Sequence, residues 1–233
     1  MKRKLFILAG SVLIMALILI AYAIIRTWGK TDLDVKIHIN EELVQKSGFG
    51  ESPTFAVWLE NPESHEIRAV YITRRAAEGD WEGKNDVPVA LPRWFEIQKK
   101  LQEAASQQIS VDAFSGATPK PGYFTTKASL APDSKWICWI EVNLAADYNE
   151  YYVASHNQES ETDKYLSGQP AILYRAEIMA KEGVIAESKL VGITVYNAPD
   201  GKVIQPLQGI TTAKEIFDEI KISVVKPKPK IIR

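Results

Sequence analysis

From Leu33 onward, apolar and polar residues alternate in short runs. LDVKIHI (33–39) sets Leu33, Val35, Ile37 and Ile39 on one face and Asp34, Lys36 and His38 on the other, the period-2 pattern of a half-buried strand. PTFAVWLE (53–60), EIRAVYIT (66–73), YFTTKASL (123–130), KWICWIEVNL (135–144), AILYRAEIMA (171–180), KLVGITVYN (189–197) and EIKISVV (219–225) read the same way. Asn61-Pro62, Ala131-Pro132-Asp133 and Ala198-Pro199-Asp200-Gly201 supply turn chemistry between them. Strands at this spacing predict a mainly β domain, an antiparallel sandwich of the immunoglobulin-like kind. Within KWICWIEV the alternation groups Cys138 with Trp136 and Ile140 as a small buried hydrophobe, and turns Trp139 to the opposite face. Trp58, Trp94 and Trp136 read as core.

The period changes in PRWFEIQKKLQEAASQ (92–107), where Trp94, Ile97 and Leu101 recur at helical spacing behind Pro92. This predicts an amphipathic helix inserted between strands, with the face carrying Trp139 beneath it. TAKEIFDEI (212–220) suggests a second, shorter helix. Two stretches fit neither period. RRAAEGDWEGKNDVPVAL (74–91) is polar and carries Trp81, a candidate surface contact. LAADYNEYYVASHNQESETDKYLSGQ (144–169) is long, acidic and rich in tyrosine. Irregular segments of such length in a compact domain are commonly functional or disordered.

The N-terminus follows a third pattern, uncharged from Leu5 to Ile25. That length suffices to cross a hydrocarbon core of about 30 Å as a helix. Lys2, Arg3 and Lys4 precede the run and only Arg26 and Lys30 closely follow it, so the N-terminus is expected in the cytoplasm and the remainder outside. Ala21-Tyr22-Ala23 has the small-x-small form of a cleavage site, but the run exceeds a signal peptide's apolar core and no polar segment precedes that site. Either reading exports the rest of the chain. The expected organisation is a single-pass anchor in the cytoplasmic (inner) membrane over 1–30, an extracytoplasmic domain over 31–225 and a basic, proline-rich tail over 226–233.

Charge and cysteine content narrow the partners. With Lys2, Arg3, Lys4 and Arg26 set aside from the 28 basic residues, 24 face 29 acidic ones, a mildly acidic balance without a nucleic-acid footprint. The single cysteine forms no internal disulfide, so the fold rests on its core. The tail VVKPKPKIIR is locally basic, with alternating prolines that favour an extended, solvated strand.

The densest candidate chemistry lies in VDAFSGATPKPGYF (111–124). A phosphate-binding loop needs a following helix and a Lys-Ser or Lys-Thr pair; here Pro119 and Pro121 follow instead. Ser115 lies in no Gly-x-Ser-x-Gly elbow, and His38, His65 and His156 have no recognisable acid partner in a triad order. No enzymatic activity is expected. Asp147, Asn149 and Glu150, with Asn143 and His156, offer oxygen and nitrogen donors, but without the spacing of a calcium cage. No metal is expected there.

Asp112, Ser115, Gly116, Ala117 and Thr118 match every fixed position of Asp-x-x-Ser-Gly-Ala-Thr, and the stretch resembles the attachment motif of covalently flavinylated, FMN-binding extracytoplasmic proteins. The resemblance implies Thr118 as the acceptor of an FMN phosphoester, made by a separate transferase. The match covers seven residues, and the flavoproteins carry theirs in a small α+β domain. A broader likeness runs through FAVWLEN, IRAVYITRR, ALPRWF, DAFSGATPKPG and WICWIEVN, over about residues 33–180. It resembles a family of predicted periplasmic β-sandwich proteins of unknown function associated with extracytoplasmic flavin-based electron transfer. In that family the Gly-Ala-Thr stretch looks like a shared turn.

The expectation is a membrane-anchored accessory or binding subunit of a flavin-linked redox system, without a cofactor of its own. The turn 112–122 and the loops 74–92 and 144–169 would form its working surface, with Trp81, Tyr148, Tyr151 and Tyr152 meeting partners. The alternatives are a covalent FMN carrier modified at Thr118, and a structural or ligand-binding envelope module without a redox role.

Overall fold

The computed structural model describes residues 14–22, 25, 29–78, 90–105, 115–154, 168–195 and 202–227. Its elements in chain order are β1 (Thr31–Ile39), α1 (Glu41–Lys46), β2 (Thr54–Glu60), β3 (Ile67–Thr73), α2 (Arg74–Glu78), α3 (Pro92–Ala105), β4 (Ser115–Gly116), β5 (Gly122–Leu130), β6 (Lys135–Asn143), β7 (Ala171–Met179), β8 (Ile185–Ala186), β9 (Lys189–Thr194), β10 (Val203–Ile204), a 3-10 turn (Thr212–Glu215) and β11 (Phe217–Val225). One sheet has the order β5-β1-β11-β8, the other β10-β9-β7-β6-β2-β3-β4. Pairing between these strands is antiparallel except at the two-residue β4, which runs parallel to β3. The protein is therefore mainly β, two sheets packed face to face.

The main core lies between the sheets. Leu33, Val35, Ile37 and Ile39 of β1 are each fully buried against Phe55, Val57 and Leu59 of β2, Cys138, Ile140 and Val142 of β6, and Ile222 and Val224 of β11. Each such side chain contributes roughly 1.5–3 kcal/mol on leaving water, and β-branched residues suit the pleated surface. The polar alternates of β1 face solvent, as the sequence pattern required.

The larger sheet is buried on both faces. Ala56, Trp58 and Leu173 point away from the sandwich interior, into a second cluster with Ile72, Leu91, Trp94 and Trp139. Helix α3 lies there, as expected, and Trp139 stacks on Trp58 with ring centroids 6.3 Å apart. This explains why TFAVWLE reads as a nearly continuous apolar run rather than a clean alternation.

Two expectations shift. The segment proposed as a helix over 212–220 has a 3-10 turn at Thr212–Glu215 and then enters β11, because Phe217 pairs with Ile39 and is buried in the core. Tertiary pairing overrides a weak local helical preference. Helix α1 was not expected: Asn40 caps it by accepting the Leu43 N–H at 3.2 Å, with Glu41 and Glu42 in its first turn.

The strand registers sort most of the described connections to one end or the other. At one end, Asn61 accepts the N–H groups of Glu63 and Ser64, both at 2.9 Å, closing the tight β2–β3 turn. Asp133, with φ 59°, closes the β5–β6 turn, and its N–H donates to the Ala180 carbonyl at 2.9 Å. The turn expected at 198–201 lies outside the described residues. At the other end Ile39 meets Gly122 and Phe217, Thr54 meets Asn143, Thr73 meets Gly116, and Ala171 meets Thr194. The connections that begin after Ile39, Thr73 and Asn143 open there.

Candidate functional site

That second end gathers segments that the sequence alone could only name separately. The stretch after β4, the loop after β6 and the start of the 74–91 segment all leave strands at the same side. From β4 to β6 the seven-stranded sheet steps through β3 and β2, three spacings or about 15 Å.

The Gly-Ala-Thr stretch is fixed from beneath. Ser115 and Gly116 pair with Ile72 and Thr73, and the Tyr71 hydroxyl donates to the Ala117 carbonyl at 2.7 Å. The Tyr71 ring lies under Gly116: a Cβ on that glycine would come within 2.5 Å of the ring's Cε2. Phe55 and Phe124 hold the ring in turn, at centroid distances of 5.1 and 4.4 Å, and burial pushes the phenol up to about 12. Gly116 thus has a packing reason to be glycine. Ala117 is exposed and Thr118 half-buried, on a stretch without regular structure ahead of β5. Asp112 lies outside the described residues.

The tyrosine-rich loop is welded rather than free over its first half. Asp147 is nearly buried and accepts from Gln169 Nε2 at 2.8 Å and from the Thr212 hydroxyl at 2.7 and 2.9 Å. Gln169 Oε1 accepts the Thr211 N–H at 2.8 Å, and Asn143 Nδ2 donates to the Gln169 carbonyl at 2.8 Å. Asn149 folds the next turn, its Oδ1 accepting from the N–H groups of Tyr151 and Tyr152 at 2.9 and 2.7 Å. Its Nδ2 donates to the Gly209 carbonyl at 2.8 Å. Burial raises the Asp147 carboxyl, and its bond from Thr212 opposes the shift.

These roles sort the three tyrosines. Tyr152 packs on the core and donates to the Gln208 carbonyl at 3.3 Å; Tyr148 is half-buried. Tyr151 is 57% exposed, its ring face lying on Gly209, where a Cβ would come within 2.4 Å of the ring. Beside it Val153 is 62% exposed, and Tyr123 at the start of β5 also 62%. Trp81 and His156 lie outside the described residues. Among the described residues no group of His, Cys, Asp and Glu is arranged to hold a metal. His38 Nδ1 lies 2.6 Å from Asp218 Oδ1 and its ring sits 4.4 Å from that of Tyr123, on the solvated face of the smaller sheet.

The sequence reading missed Glu141. It is fully buried on β6 and accepts the backbone N–H groups of Arg93 at 3.0 Å and Trp94 at 2.7 Å, with the Thr194 hydroxyl as a third donor. The first intrahelical bond of α3 ends on the Leu91 carbonyl, so Leu91 occupies the capping position and its side chain has no acceptor. Glu141 supplies one from across the sheet, satisfying donors that a helix start leaves open. Burial raises its carboxyl to about 7, against the pull of Thr194, the two backbone donors and the Arg93 charge. The Arg93 guanidinium covers the Trp139 ring at 4.7 Å, while the Trp139 indole donates to Glu60 at 2.8 Å. The available signal was a lone carboxylate in phase with Trp139 on an apolar strand, downstream of a helix opening Leu-Pro with no capping residue.

No protein-family model matches this chain, no curated protein is detectably similar to it in sequence, and no solved structure matches it.

Proposed function

We propose that this chain is a membrane-anchored, extracytoplasmic, immunoglobulin-like β-sandwich that acts without catalysis, as an accessory or binding subunit of a flavin-linked redox system. One observation carries the reading: the irregular segments share one end of the sandwich, while β1, which follows the apolar run, begins at the other. Nine residues of β1 separate the two ends by roughly 30 Å. An anchor at Thr31 would then hold the loop end away from the bilayer, facing a neighbour's extracytoplasmic surface. Tethering raises the effective concentration of such a neighbour without any new contact. Among the described residues no helix is long and apolar enough to cross a membrane; residues 14–22 and 25 are helical, with Ile14, Ile18, Leu19 and Ile25 all about half exposed or more, which suits apolar surroundings.

The link to flavin chemistry rests on the resemblance of Asp112, Ser115, Gly116, Ala117 and Thr118 to the FMN attachment motif. Complexes isolated in mild detergent from native membranes should contain flavin-bearing subunits absorbing near the flavin visible band. Tyr151→Ala combined with Val153→Glu should deplete them, and Thr118→Ala should not. Recovery of the same subunits with both loop substitutions would overturn the proposal.

The FMN-carrier reading keeps one supporting observation: Thr118 is partly accessible at the same end. Against it, the glycine of the motif is already accounted for by the Tyr71 ring. In-gel fluorescence after denaturation, lost in Thr118→Ala, would establish the carrier; a colourless chain purified alongside a competent transferase would exclude it. A structural or ligand-binding envelope module predicts neither fluorescence nor flavin-bearing partners.

A further inference from the structure

We infer that the outer edge of β5 is a strand-addition site, which takes an extended segment of a partner polypeptide. This deepens the accessory-subunit reading and rests on its anchor for the choice of occupant. Among the described residues the two sheets have four outermost strands, and three of them, β4, β8 and β10, are two residues long. The strands they cover are each bulged, at Val70 of β3, Val191 of β9 and Asp218 of β11, where the register slips by one residue. Short outer strands and bulges are the usual protections against unwanted pairing. β5 has neither. It pairs with β1 over nine residues, Gly122 to Leu130, without a shift in register, and contains no proline. Its single charge, Lys127, lies 3.5 Å from Asp34 Oδ2.

Two bonds on the far side of the sheet fix which backbone groups of β5 face outward. Val224 of β11 accepts the Gly183 N–H at 2.9 Å and donates to the Val184 carbonyl at 2.8 Å, so its backbone groups point away from its register partner Leu33. The backbone groups of Leu33 and its alternates Val35 and Ile37 therefore point to β5, where they meet Ala128, Thr126 and Phe124. The intervening residues Tyr123, Thr125, Lys127 and Ser129 turn their N–H and C=O groups to the free edge. All four are exposed, and among the described residues no backbone group bonds to that edge. Donors and acceptors repeating at about 7 Å match another extended backbone.

β1 shows which side chains β5 accepts: apolar ones opposite Phe124, Thr126 and Ala128, and Asp34 opposite Lys127. The occupant has the same alternation. Its apolar residues cover the half-buried Phe124, Thr126 and Ala128, and a carboxylate meets Lys127, whose side chain stays 49% exposed. A second copy does not fit. Antiparallel pairing of two β5 edges points the two β1 starts in opposite directions, which two chains anchored ahead of Thr31 in one bilayer cannot do. Parallel pairing sets the core face of one copy beside the solvent face of the other. Gly122 lies at the loop end, so a partner seated there can run a segment down β5.

The test titrates the detergent-solubilised full chain into a fluorescein-labelled peptide of sequence TDLDVKIHI, that of residues 31–39, and follows anisotropy. Binding should be saturable, and weaker by about tenfold or more in Thr125→Pro, which removes an outward N–H and no bond to β1. Circular dichroism checks that this variant is folded. Should it unfold, modification of the peptide gives the same information on the wild-type chain. N-methyl groups at the peptide positions of Asp34 and Lys36 should abolish binding, and those at Val35 and Ile37 should leave it intact. The opposite pattern means that the peptide replaces β1, and overturns the inference. Absence of binding, or binding undiminished in folded Thr125→Pro, overturns it too. Dimers of the chain within one bilayer, lost in Thr125→Pro, would make a second copy the occupant and overturn the partner segment. A chain that binds the peptide as described but fails to enter nanodiscs overturns the anchor reading alone and leaves the strand-addition site standing.

Discussion

Replacing Glu141 by Gln isolates the energetic role of the one fully buried carboxyl described in the sheet. The folded carboxyl titrates at about 7 against 4.5 for an exposed glutamate, chiefly because burial disfavours its charge. Between those two values the folded state holds a proton that the unfolded chain has released. Stability therefore falls as pH rises through that window: the contribution is whole below about pH 4.5 and lost above about pH 7. At about 1.4 kcal/mol per unit the loss amounts to roughly 3 kcal/mol. A Gln amide offers one accepting oxygen and an NH2 that cannot accept, so either the Arg93 or the Trp94 N–H loses its partner and the variant should be less stable than wild type by a pH-independent amount of about 1–3 kcal/mol. Gln cannot ionise. Between pH 5 and pH 8 the stability of wild type minus variant should fall by about 2–3 kcal/mol, every other titrating group cancelling in the difference. Urea unfolding of the detergent-solubilised chain, followed by tryptophan fluorescence, reads this directly, since Trp58, Trp94 and Trp139 surround the site. A difference that is flat with pH, or that grows in favour of wild type, would refute the reasoning. It would mean that the three donors hold the carboxylate ionised throughout.

The remaining predictions probe the same physical account elsewhere. Glu141→Ala leaves the Arg93 and Trp94 N–H groups and the Thr194 hydroxyl without their acceptor and should cost about 3–5 kcal/mol in unfolding free energy. Gly116→Ala drives a methyl into the Tyr71 ring, which Phe55 and Phe124 prevent from yielding, and should lower thermal stability by about 1–3 kcal/mol. Adding Tyr71→Ala should relieve that clash, so the double mutant loses less than the sum of the two singles. Gly168→Ala combines φ 70° with a Cβ within 2.6 Å of the Asp147 backbone. It should loosen the 144–154 loop, read as faster amide exchange at Tyr151 and Tyr152. Cys138 should resist alkylation in the native chain and react fully only in denaturant, because it is buried and its thiol is pushed up to about 12.

Local pattern made most of the sheet legible. The alternation in β1 and the stacked side of β6 carried enough information to place Leu33, Val35, Ile37 and Ile39, and to separate Cys138 from Trp139. The same pattern misjudged 212–220, where burial of Phe217 against β1 outweighs helical preference, a contact 178 residues distant in sequence. It was silent on α1, whose single capping asparagine and six residues are too short to show a period. The candidate surface was legible as a set of segments but not as a place. Only the registers, Thr54 against Asn143 and Thr73 against Gly116, bring the turn and the tyrosine loop to one end. Sequence could not separate Tyr151 from Tyr148 and Tyr152 either, since their exposure depends on Gly209 and Gln208, brought in from far along the chain. Glu141 escaped for the same reason: the donors it satisfies lie about 47 residues away, and no local rule links a strand carboxylate to a remote helix start.

The central claim is that the loop end meets a partner while the turn end faces the membrane. A photo-crosslinking residue placed at Tyr151 or Lys120, at the loop end, and at Glu63 or Glu182, at the turn end, tests it in intact cells. The account predicts a discrete protein adduct from the first pair, and lipid or no adduct from the second. The same protein adduct from both ends, or none from the loop end in native membranes, would contradict it.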